Sequence, residues 1–330
     1  MTDTAAAGAT LAPDEAAAAR ALLEARYGAA EAPASILLND TIAGLLNHRS
    51  VRAFTREPLP EGLLETLVAA AQSAPSSSNL QTFSVVAVEN PATKARLAEI
   101  AGGQRHVVEA PLVLVWLADL ARLEEIGRRN AHPTDALGFL ETLFVGFIDA
   151  ALGAQNALVA LESLGLGGVY LGALRNRPVE LAELLGLPPN VVGVFGLAIG
   201  HPDPDRPADV KPRISQRLVL HRERYDARLP QDALDHYEAA LKAFQKGQKI
   251  PEIGWIAAAL PRVKGASSLA GRDRIRDALT ALGSACAEGA RRAIARMWLS
   301  AATAGRVMAG LVPAIHVGGP EQVFILYSMS

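Results

Sequence analysis

The sequence contains a single cysteine, Cys286, among its 330 residues. One cysteine excludes an internal disulfide framework and any zinc site built from cysteines. It is compatible with a reducing compartment, so we predict a cytoplasmic protein. The N-terminus agrees with this prediction, because it begins with the acidic Asp3 and has no basic region ahead of an apolar core, as a secretory signal would.

An excess of charge and a long apolar run are also missing. The chain has 32 Lys and Arg against 34 Asp and Glu, a formal net charge of −2. No overall field therefore attracts nucleic acid or an acidic membrane surface, and any anion site must be local. The longest apolar run, from Pro111 to Ala118, is far shorter than the roughly 20 residues that a membrane helix needs. We predict no nucleic-acid partner and no membrane span.

Several common catalytic motifs are absent as well. Gly165-Leu166-Gly167-Gly168 is not a dinucleotide fingerprint, because Tyr170 occupies the third glycine position and the run closes a helix instead of opening one. No Walker phosphate loop, HExxH or GxSxG occurs. A Rossmann domain is therefore disfavoured, hydrolases and kinases lose their simplest support, and we predict no metal site.

The hydrophobic pattern predicts both helices and strands. Helices are predicted at 14–27, 61–72, 139–164, 232–245 and 272–282. A further helix is predicted to begin after a cap at Asn39 or Asp40. Strands are predicted at 84–89, 112–117, 169–171, 194–199 and 218–221. In the longest helix, small residues between Ala150 and Ala157 indicate close packing in the core or at a subunit interface.

Two basic segments are candidates for an anion site. In His48-Arg49-Ser50-Val51-Arg52 we predict a helical turn, on which Arg49 and Arg52 face the same way. Two guanidiniums with a hydroxyl and an imidazole suit a phosphate monoester. Lys211-Pro212-Arg213 is the second segment, where the proline keeps the backbone extended so that both cations can reach one ligand. The alternatives are a solvated helix end and an ordinary surface loop.

Two polar loops complete the set of candidates. Residues 74–81 are dense in hydroxyls and amides and lie between a predicted helix and a predicted strand, and residues 102–106 form a second loop ahead of another strand. Loops in such positions often carry ligands. Serine and asparagine are also favoured in plain turns, so each loop alone is open to both interpretations.

Taken together, these motifs resemble the FMN-dependent nitroreductases. The similarity is greatest to the NADPH-preferring, oxygen-insensitive branch, which includes the major nitroreductase and flavin reductases of bacteria. The matching segments are residues 47–55, the serine loop ending in Gln81, and residues 102–106, 154–157, 162–172 and 211–213. They follow the order of the family and span about residues 38–283.

The resemblance implies an α+β fold with a central mixed β-sheet flanked by helices, in an intertwined homodimer. One tightly bound, non-covalent FMN would lie at each of two sites along the dimer interface, which the small residues between Ala150 and Ala157 would suit. Residues 38–283 would form the FMN-binding domain. Residues 1–37 would be an Ala-rich extension carrying no chemistry, and residues 284–330 a poorly ordered tail.

The resemblance also assigns residues to the cofactor. The residues expected around the ribityl phosphate are His48, Arg49, Ser50, Arg52, Lys211 and Arg213. Those expected to contact the flavin ring are Ser76, Ser77, Gln104, Leu166, Gly167 and Gly168, with the glycines leaving room for stacking. Asn79 stands where some relatives carry a bulkier residue, which could alter acceptor choice.

The implied activity is NADPH oxidation by a ping-pong cycle. Hydride would pass through flavin N5 to nitroaromatics, quinones or related small electrophiles, without a dedicated catalytic side chain. Lys246 and Arg272 are candidates for the 2′-phosphate of NADPH, the alternative being surface charge. Three other functions stay open: a flavin reductase that supplies reduced FMN to a partner oxygenase, a non-catalytic flavin-binding protein, and a structural protein whose cations are ordinary surface residues.

Overall fold

The centre of the fold is a four-stranded sheet, and the computed structural model describes residues 13–284. The strands are β1 (Phe83–Val88), β2 (Leu112–Asp119), β3 (Gly167–Leu171) and β4 (Val191–Gly200). They are arranged in the order β1-β2-β4-β3, so the two longest strands lie in the middle. Both are almost entirely buried, as expected from their unbroken apolar sequences.

Eleven α-helices surround this sheet within the described residues. They are α1 (Pro13–Tyr27), α2 (Asp40–Leu46), α3 (Leu63–Gln72), α4 (Pro91–Ile100), α5 (Arg105–Glu109), α6 (Ala121–Arg129), α7 (Leu140–Ser163), α8 (Pro178–Leu185), α9 (Gln231–Gly247), α10 (Ile256–Ala259) and α11 (Ile275–Ala281). The α+β class predicted from the sequence is therefore confirmed. The cap predicted for α2 is present, since the Asn39 side chain accepts a hydrogen bond from the N–H of Ile42.

The sheet differs from the expected mixed sheet, because all its named strands pair antiparallel. Within residues 13–284 its parallel component is a single bridge, between Ser50 and Gly168 at the outer edge of β3. The predicted strand at 218–221 is wrong. Ser215 Oγ accepts from the N–H of Arg217 and starts a 3-10 turn there, which leaves Val219 and Leu220 exposed without a neighbouring strand.

Helix α7 packs its small residues against the protein's own core. A Cβ atom added at Gly146 would lie 3.0 Å from the Cβ of Ala118, which shows how closely the helix approaches β2. Ala150, Ala154 and Ala157 are fully buried in the same core. The expectation that these alanines suit a subunit interface is therefore wrong, because the core of the same chain already covers them.

The opposite side of α7 carries a separate apolar stripe. It consists of Leu140, Phe144, Ile148 and Leu152, which recur every four residues and are 44, 51, 56 and 39% exposed. By length and composition alone, α7 is also apolar enough to cross a membrane. Its buried side is a core face that packs on α3 and β2.

The two ends of the chain carry further predictions. The described part ends at Ser284, which is buried and donates its N–H to the carbonyl of Leu279. The tail predicted to be poorly ordered is residues 284–330, of which all but Ser284 lie outside the described residues. At the other end, α1 confirms the helix predicted at 14–27, while residues 1–12 lie outside the described range.

Candidate anion-binding site

The basic segment 48–52 runs as an extended chain along the edge of β3. Helix α2 ends at Leu46 with Asn47 as its C-cap, and the N–H of Val51 then donates to the carbonyl of Gly168 at 3.0 Å. The predicted helical turn is therefore wrong, because pairing with the sheet edge replaces it. In an extended chain neighbouring side chains alternate in direction, so Arg49 and Arg52 are not brought together by helical spacing.

Close packing inside the protein explains the two glycines of β3. A Cβ atom at Gly167 would lie 2.5 Å from Cγ2 of Val51 in the basic segment, and one at Gly168 would lie 3.1 Å from the carbonyl oxygen of Ala198 in β4. Contacts inside the protein therefore already require glycine at 167 and leave little room for a side chain at 168. Leu166 is 4% exposed and packs in the core, so its side chain is not available to a ligand.

Three side chains from the two basic segments converge, and we call Arg52, Lys211 and Arg213 the cationic cradle. Partial burial of the Lys211 ammonium lowers its pKa, and repulsion from Arg52 and Arg213 lowers it further. All three side chains remain exposed, so the cradle is open to a ligand. The fold therefore brings residues 48–52 and 211–213 together, which their local sequence patterns alone did not decide.

Of the other predicted residues, Gln104 lies on a loop beside this cradle, whereas Arg49 makes its own contact with Asn47. Arg49 is exposed and donates to Oδ1 of Asn47 at 2.9 Å. Gln104 precedes α5 and is half-buried, and the next turn carries His106. Burial lowers the pKa of His106 and nearby Arg52 lowers it further, which places this loop beside the cradle.

His48 is held in place by a carboxylate from the last turn of α7. Its Nδ1 lies 2.6 Å from Oε1 of Glu162, and the two side chains are 25 and 19% exposed. The ring is therefore fixed on one side, and Nε2 is left for another partner. Ser50, between His48 and the cradle, is half-buried at its bridge to Gly168.

The serine loop is organised by a buried carboxylate. Oδ2 of Asp149 accepts from the hydroxyl of Ser76 at 2.8 Å and from the N–H and hydroxyl of Thr82 at 2.9 Å each. The N–H of Gln81 donates to Ser76 Oγ at 2.8 Å. These contacts hold a turn in which Ser78, Asn79 and Gln81 have positive φ. Ser77 is exposed on this turn.

The serine loop and His48 are attached to different halves of α7. Asp149 holds the loop and Glu162 holds His48, and 13 residues of helix correspond to about 20 Å. The chain therefore presents these two groups of predicted residues well apart from each other.

Lys246 and Arg272 lie on separate elements. Lys246 is exposed in the last turn of α9. Arg272 begins a short 3-10 turn and lies beside Arg175, whose pKa is lowered by burial and then by Arg272. Arg272 is thus part of a second local concentration of positive charge.

Sequence reasoning missed three residues of this region. Asp149 had a readable signal, since an acid on the apolar stripe of a long helix is unusual and suggests a specific partner. His106 belongs to the predicted polar loop 102–106, but its sequence gives it no role of its own. Arg26 of α1 had no local signal, yet its guanidinium donates to the carbonyls of Leu46 and Lys211 at 2.6 and 2.7 Å.

Comparison with known proteins assigns this arrangement to a family. The model described as "Nitroreductase family" matches residues 45–201, and the one described as "Nitroreductase family, C-terminal domain" matches residues 211–286. The chain belongs to the nitroreductase family. The matched ranges include the cradle, the serine loop and α7, but they begin after α1.

Curated proteins similar to this nitroreductase-family chain include three with flavin or nitro chemistry in their names. The "Oxygen-insensitive NADPH nitroreductase" of Salmonella typhimurium is 41% identical over 207 residues, which is 63% of this chain and 83% of that protein. The "NADPH-flavin oxidoreductase" of Vibrio harveyi is 39% identical over the same coverage. The "FMN reductase [NAD(P)H]" of Bacillus subtilis is 42% identical over 61% of this chain and 80% of its own length.

Solved structures agree with this membership. The NADPH:FMN oxidoreductase of Vibrio harveyi, determined in complex with NAD+, is 35% identical and superposes with a TM-score of 0.66 over 75% of this chain and 99% of its own. Nitroreductase A of Vibrio parahaemolyticus is also 35% identical, with a TM-score of 0.67 over the same coverage. The fold of this nitroreductase-family protein is therefore the family fold.

Proposed function

We propose that the protein is an FMN-dependent NADPH oxidoreductase that reduces nitroaromatics, quinones or related small electrophiles. The observation that carries this proposal is the cationic cradle of Arg52, Lys211 and Arg213. A phosphate monoester with a charge near −2 needs several donors, and this cradle supplies guanidinium and ammonium groups. The donor set fits the ribityl phosphate of FMN, with His48, Arg49 and Ser50 completing it.

The remaining predicted residues would place the flavin ring. Ser76, Ser77 and Gln104 are the proposed contacts of the ring, and the backbone of Leu166, Gly167 and Gly168 would line one edge. When bound, FMN would supply hydride transfer in two half-reactions, from NADPH and then to the acceptor. The protein's residues therefore bind and orient the cofactor and the substrates, and none needs to act as a nucleophile or as a dedicated acid or base.

A homodimer is part of this proposal. The exposed stripe of Leu140, Phe144, Ile148 and Leu152 is the kind of apolar surface that a second copy would cover. The separation of about 20 Å along α7 between the attachment points of the serine loop and His48 also favours a site completed by two copies. Analytical ultracentrifugation should give twice the chain mass, and charged substitutions at Phe144 and Ile148 should yield monomers with weakened FMN binding.

The domain boundaries, the co-substrate and the location are proposals of the same kind. Residues 38–283 would form the FMN-binding domain, with residues 1–37 as an extension and residues 284–330 as a tail. Lys246 and Arg272 would recognise the 2′-phosphate of NADPH, since each is a cation outside the cradle. The protein would act in the cytoplasm.

Anaerobic titration of the purified protein tests the function directly. We expect a yellow protein whose flavin absorbance near its long-wavelength maximum is lost with NADPH and recovered with a nitroaromatic or a quinone. A yellow protein that NADPH does not bleach would instead be a non-catalytic flavin-binding protein. A colourless protein that does not rebind FMN would contradict the cofactor assignment.

Flavin reduction for a partner oxygenase is a second candidate, favoured by the names of the similar FMN reductase and NADPH-flavin oxidoreductase. Turnover on free FMN should be compared with turnover on a nitroaromatic and on a quinone. A clear preference for free FMN would replace the first proposal by this one.

A further inference from the structure

Arg26, on α1, joins the backbones of both basic segments. Its Nη1 donates to the carbonyl of Lys211 at 2.7 Å, and its Nη2 donates to the carbonyls of Leu46 and His48 at 2.6 and 3.0 Å. The carbonyl of Arg26 in turn accepts from the N–H of Arg213 at 2.7 Å. One residue therefore fixes the chain at the start of the first basic segment and on both sides of Pro212 in the second.

The charge of Arg26 is buried beneath this arrangement. The residue is 6% exposed, and burial together with repulsion from Arg213 lowers its pKa, while Tyr27 and Glu162 only partly offset this. Its hydrogen-bond partners are backbone carbonyls. A buried guanidinium that is satisfied by carbonyls keeps its full positive charge, so it adds to the field that an anion in the cradle would meet.

A second contact anchors the same end of the chain. The carboxylate of Glu31, 6% exposed, accepts from Nδ1 of His236 at 2.9 Å and from Nη1 of Arg217 at 3.5 Å. Glu31, Asp232 and His236 place ligand atoms within 4.8 Å of one another, a spacing that could hold a metal ion. Arg217 already pairs with Asp232 at 2.7 Å as well as with Glu31, so this cluster serves as an anchor between residues 26–31 and α9.

We propose that Arg26 is a positioning residue for the cofactor phosphate, which makes α1 a working part of the anion site. This inference rests on the proposed FMN-binding function. It goes beyond the family match, which begins at residue 45 and so does not include α1. The geometry carries it: Arg26 sets the backbone from which Lys211 and Arg213 reach the ligand, and it holds the carbonyl of His48 on the other side.

The test compares FMN with riboflavin, which has the same ring and no phosphate. Dissociation constants for both are measured by flavin fluorescence on apoprotein of the wild type, Arg26→Met and Arg26→Lys. Arg20→Met is the matched control, because Arg20 lies on the same helix, is exposed and pairs with Glu24. Thermal unfolding of each variant is recorded alongside.

We expect Arg26→Met to weaken FMN binding at least about tenfold, since several charge-assisted hydrogen bonds are lost. Riboflavin binding should change less than about twofold, because riboflavin has no phosphate to interact with the cradle. Arg26→Lys, which keeps the charge but not the fork, should fall between the wild type and Arg26→Met. Arg20→Met should match the wild type for both ligands.

Three results would overturn the inference. Unchanged FMN binding in Arg26→Met would show that the cradle is positioned without Arg26. Equal losses for FMN and riboflavin would show a general structural role instead. A wild-type protein that binds neither flavin would overturn the proposed function and this inference with it. If Arg26→Met does not fold, Arg26→Lys is used instead. A ratio of the FMN to the riboflavin dissociation constant in Arg26→Lys that equals the wild-type ratio would count against the inference.

Discussion

The hydroxyl of Ser76 donates a hydrogen bond to Oδ2 of Asp149 across 2.8 Å, although 73 positions separate the two residues in the chain. The same oxygen accepts two further hydrogen bonds from Thr82, and Asp149 is only 2% exposed. A single buried oxygen therefore ties both ends of the serine loop to the middle of α7.

Asp149→Ala should lower the free energy of unfolding by about 2–4 kcal/mol, because three donors lose a buried acceptor. Asp149→Asn should cost less, since the amide oxygen can take the place of Oδ2. Urea denaturation of both variants measures the difference. Ser73→Ala, at an exposed position nearby, is the control and should be nearly neutral. Equal losses for the Ala and Asn variants would contradict this account of the loop.

Arg49→Ala should lower FMN occupancy and weaken FMN binding by about tenfold, because one cation of the proposed phosphate site is lost. The ratio of flavin absorbance to protein absorbance after purification measures occupancy. Arg56→Ala removes another exposed arginine a few residues further along and should leave occupancy unchanged. A variant at Arg49 that retains its full flavin content would count against the assignment.

FMN binding should weaken in alkaline solution because of Lys211. In the free protein its pKa is lowered below the ordinary value of about 10.4, whereas a bound phosphate dianion would raise it. Binding therefore takes up a proton once the pH exceeds the lowered pKa, and affinity falls as the pH rises through it. Below that pKa, Lys211 contributes no pH dependence.

The measurement is the FMN dissociation constant between about pH 7 and pH 10 in the wild type and in Lys211→Arg. Arginine stays charged over this range, so the variant should lose the part of the alkaline decline that Lys211 causes. Ionisation of the flavin itself affects both proteins equally. Identical pH profiles would show that Lys211 does not meet the phosphate.

Lys246→Ala and Arg272→Ala should each raise the KM for NADPH by about five- to tenfold while leaving the KM for NADH nearly unchanged. The reason is that NADH lacks the 2′-phosphate. Lys242→Ala, one turn earlier on α9, is the control for Lys246. Steady-state kinetics with one acceptor, and with NADPH or NADH as the donor, measures the two KM values. Equal changes in both KM values would show that these cations do not contact the 2′-phosphate.

A chain that ends at Ser284 should retain FMN binding and activity. It keeps the N–H of Ser284 that donates to Leu279, and the carbonyl of Leu282 that accepts from Asn190. A chain that ends at Ala278 is the matched control, since it removes buried Leu279 and should unfold at a lower temperature. Loss of flavin in the longer of the two chains would show that residues 285–330 contribute to the site.

Local patterns predicted much of the fold from the sequence. Apolar runs predicted β1 to β4 close to their observed bounds, and the cap at Asn39 predicted the start of α2. The failures came where long-range pairing decides the outcome. Residues 48–52 follow a helix and resemble its continuation, but the edge of β3 draws them into an extended bridge.

The candidate site was predictable only in part for the same reason. The two basic segments were recognisable, but nothing in their local sequence places Arg52 beside Lys211. Gly167 and Gly168 were predicted to be small so that a flavin could stack beside them. The structure gives another reason for Gly167, since a side chain there would collide with Val51. Arg26 could not be recognised, because an arginine on an Ala-rich helix is typical of a surface position until the fold brings Lys211 to it.

The bond from Arg26 to the carbonyl of Lys211 also bears on how the chain is made. The helix that carries Arg26 is synthesised early, but its partner follows 185 positions later. At usual rates of translation this delay is about 10 to 40 s. A lone helix of this length is marginal in water, so α1 should stay unfolded on the ribosome and dock late. The earliest of the described helices to be made is thus among the last to take its place.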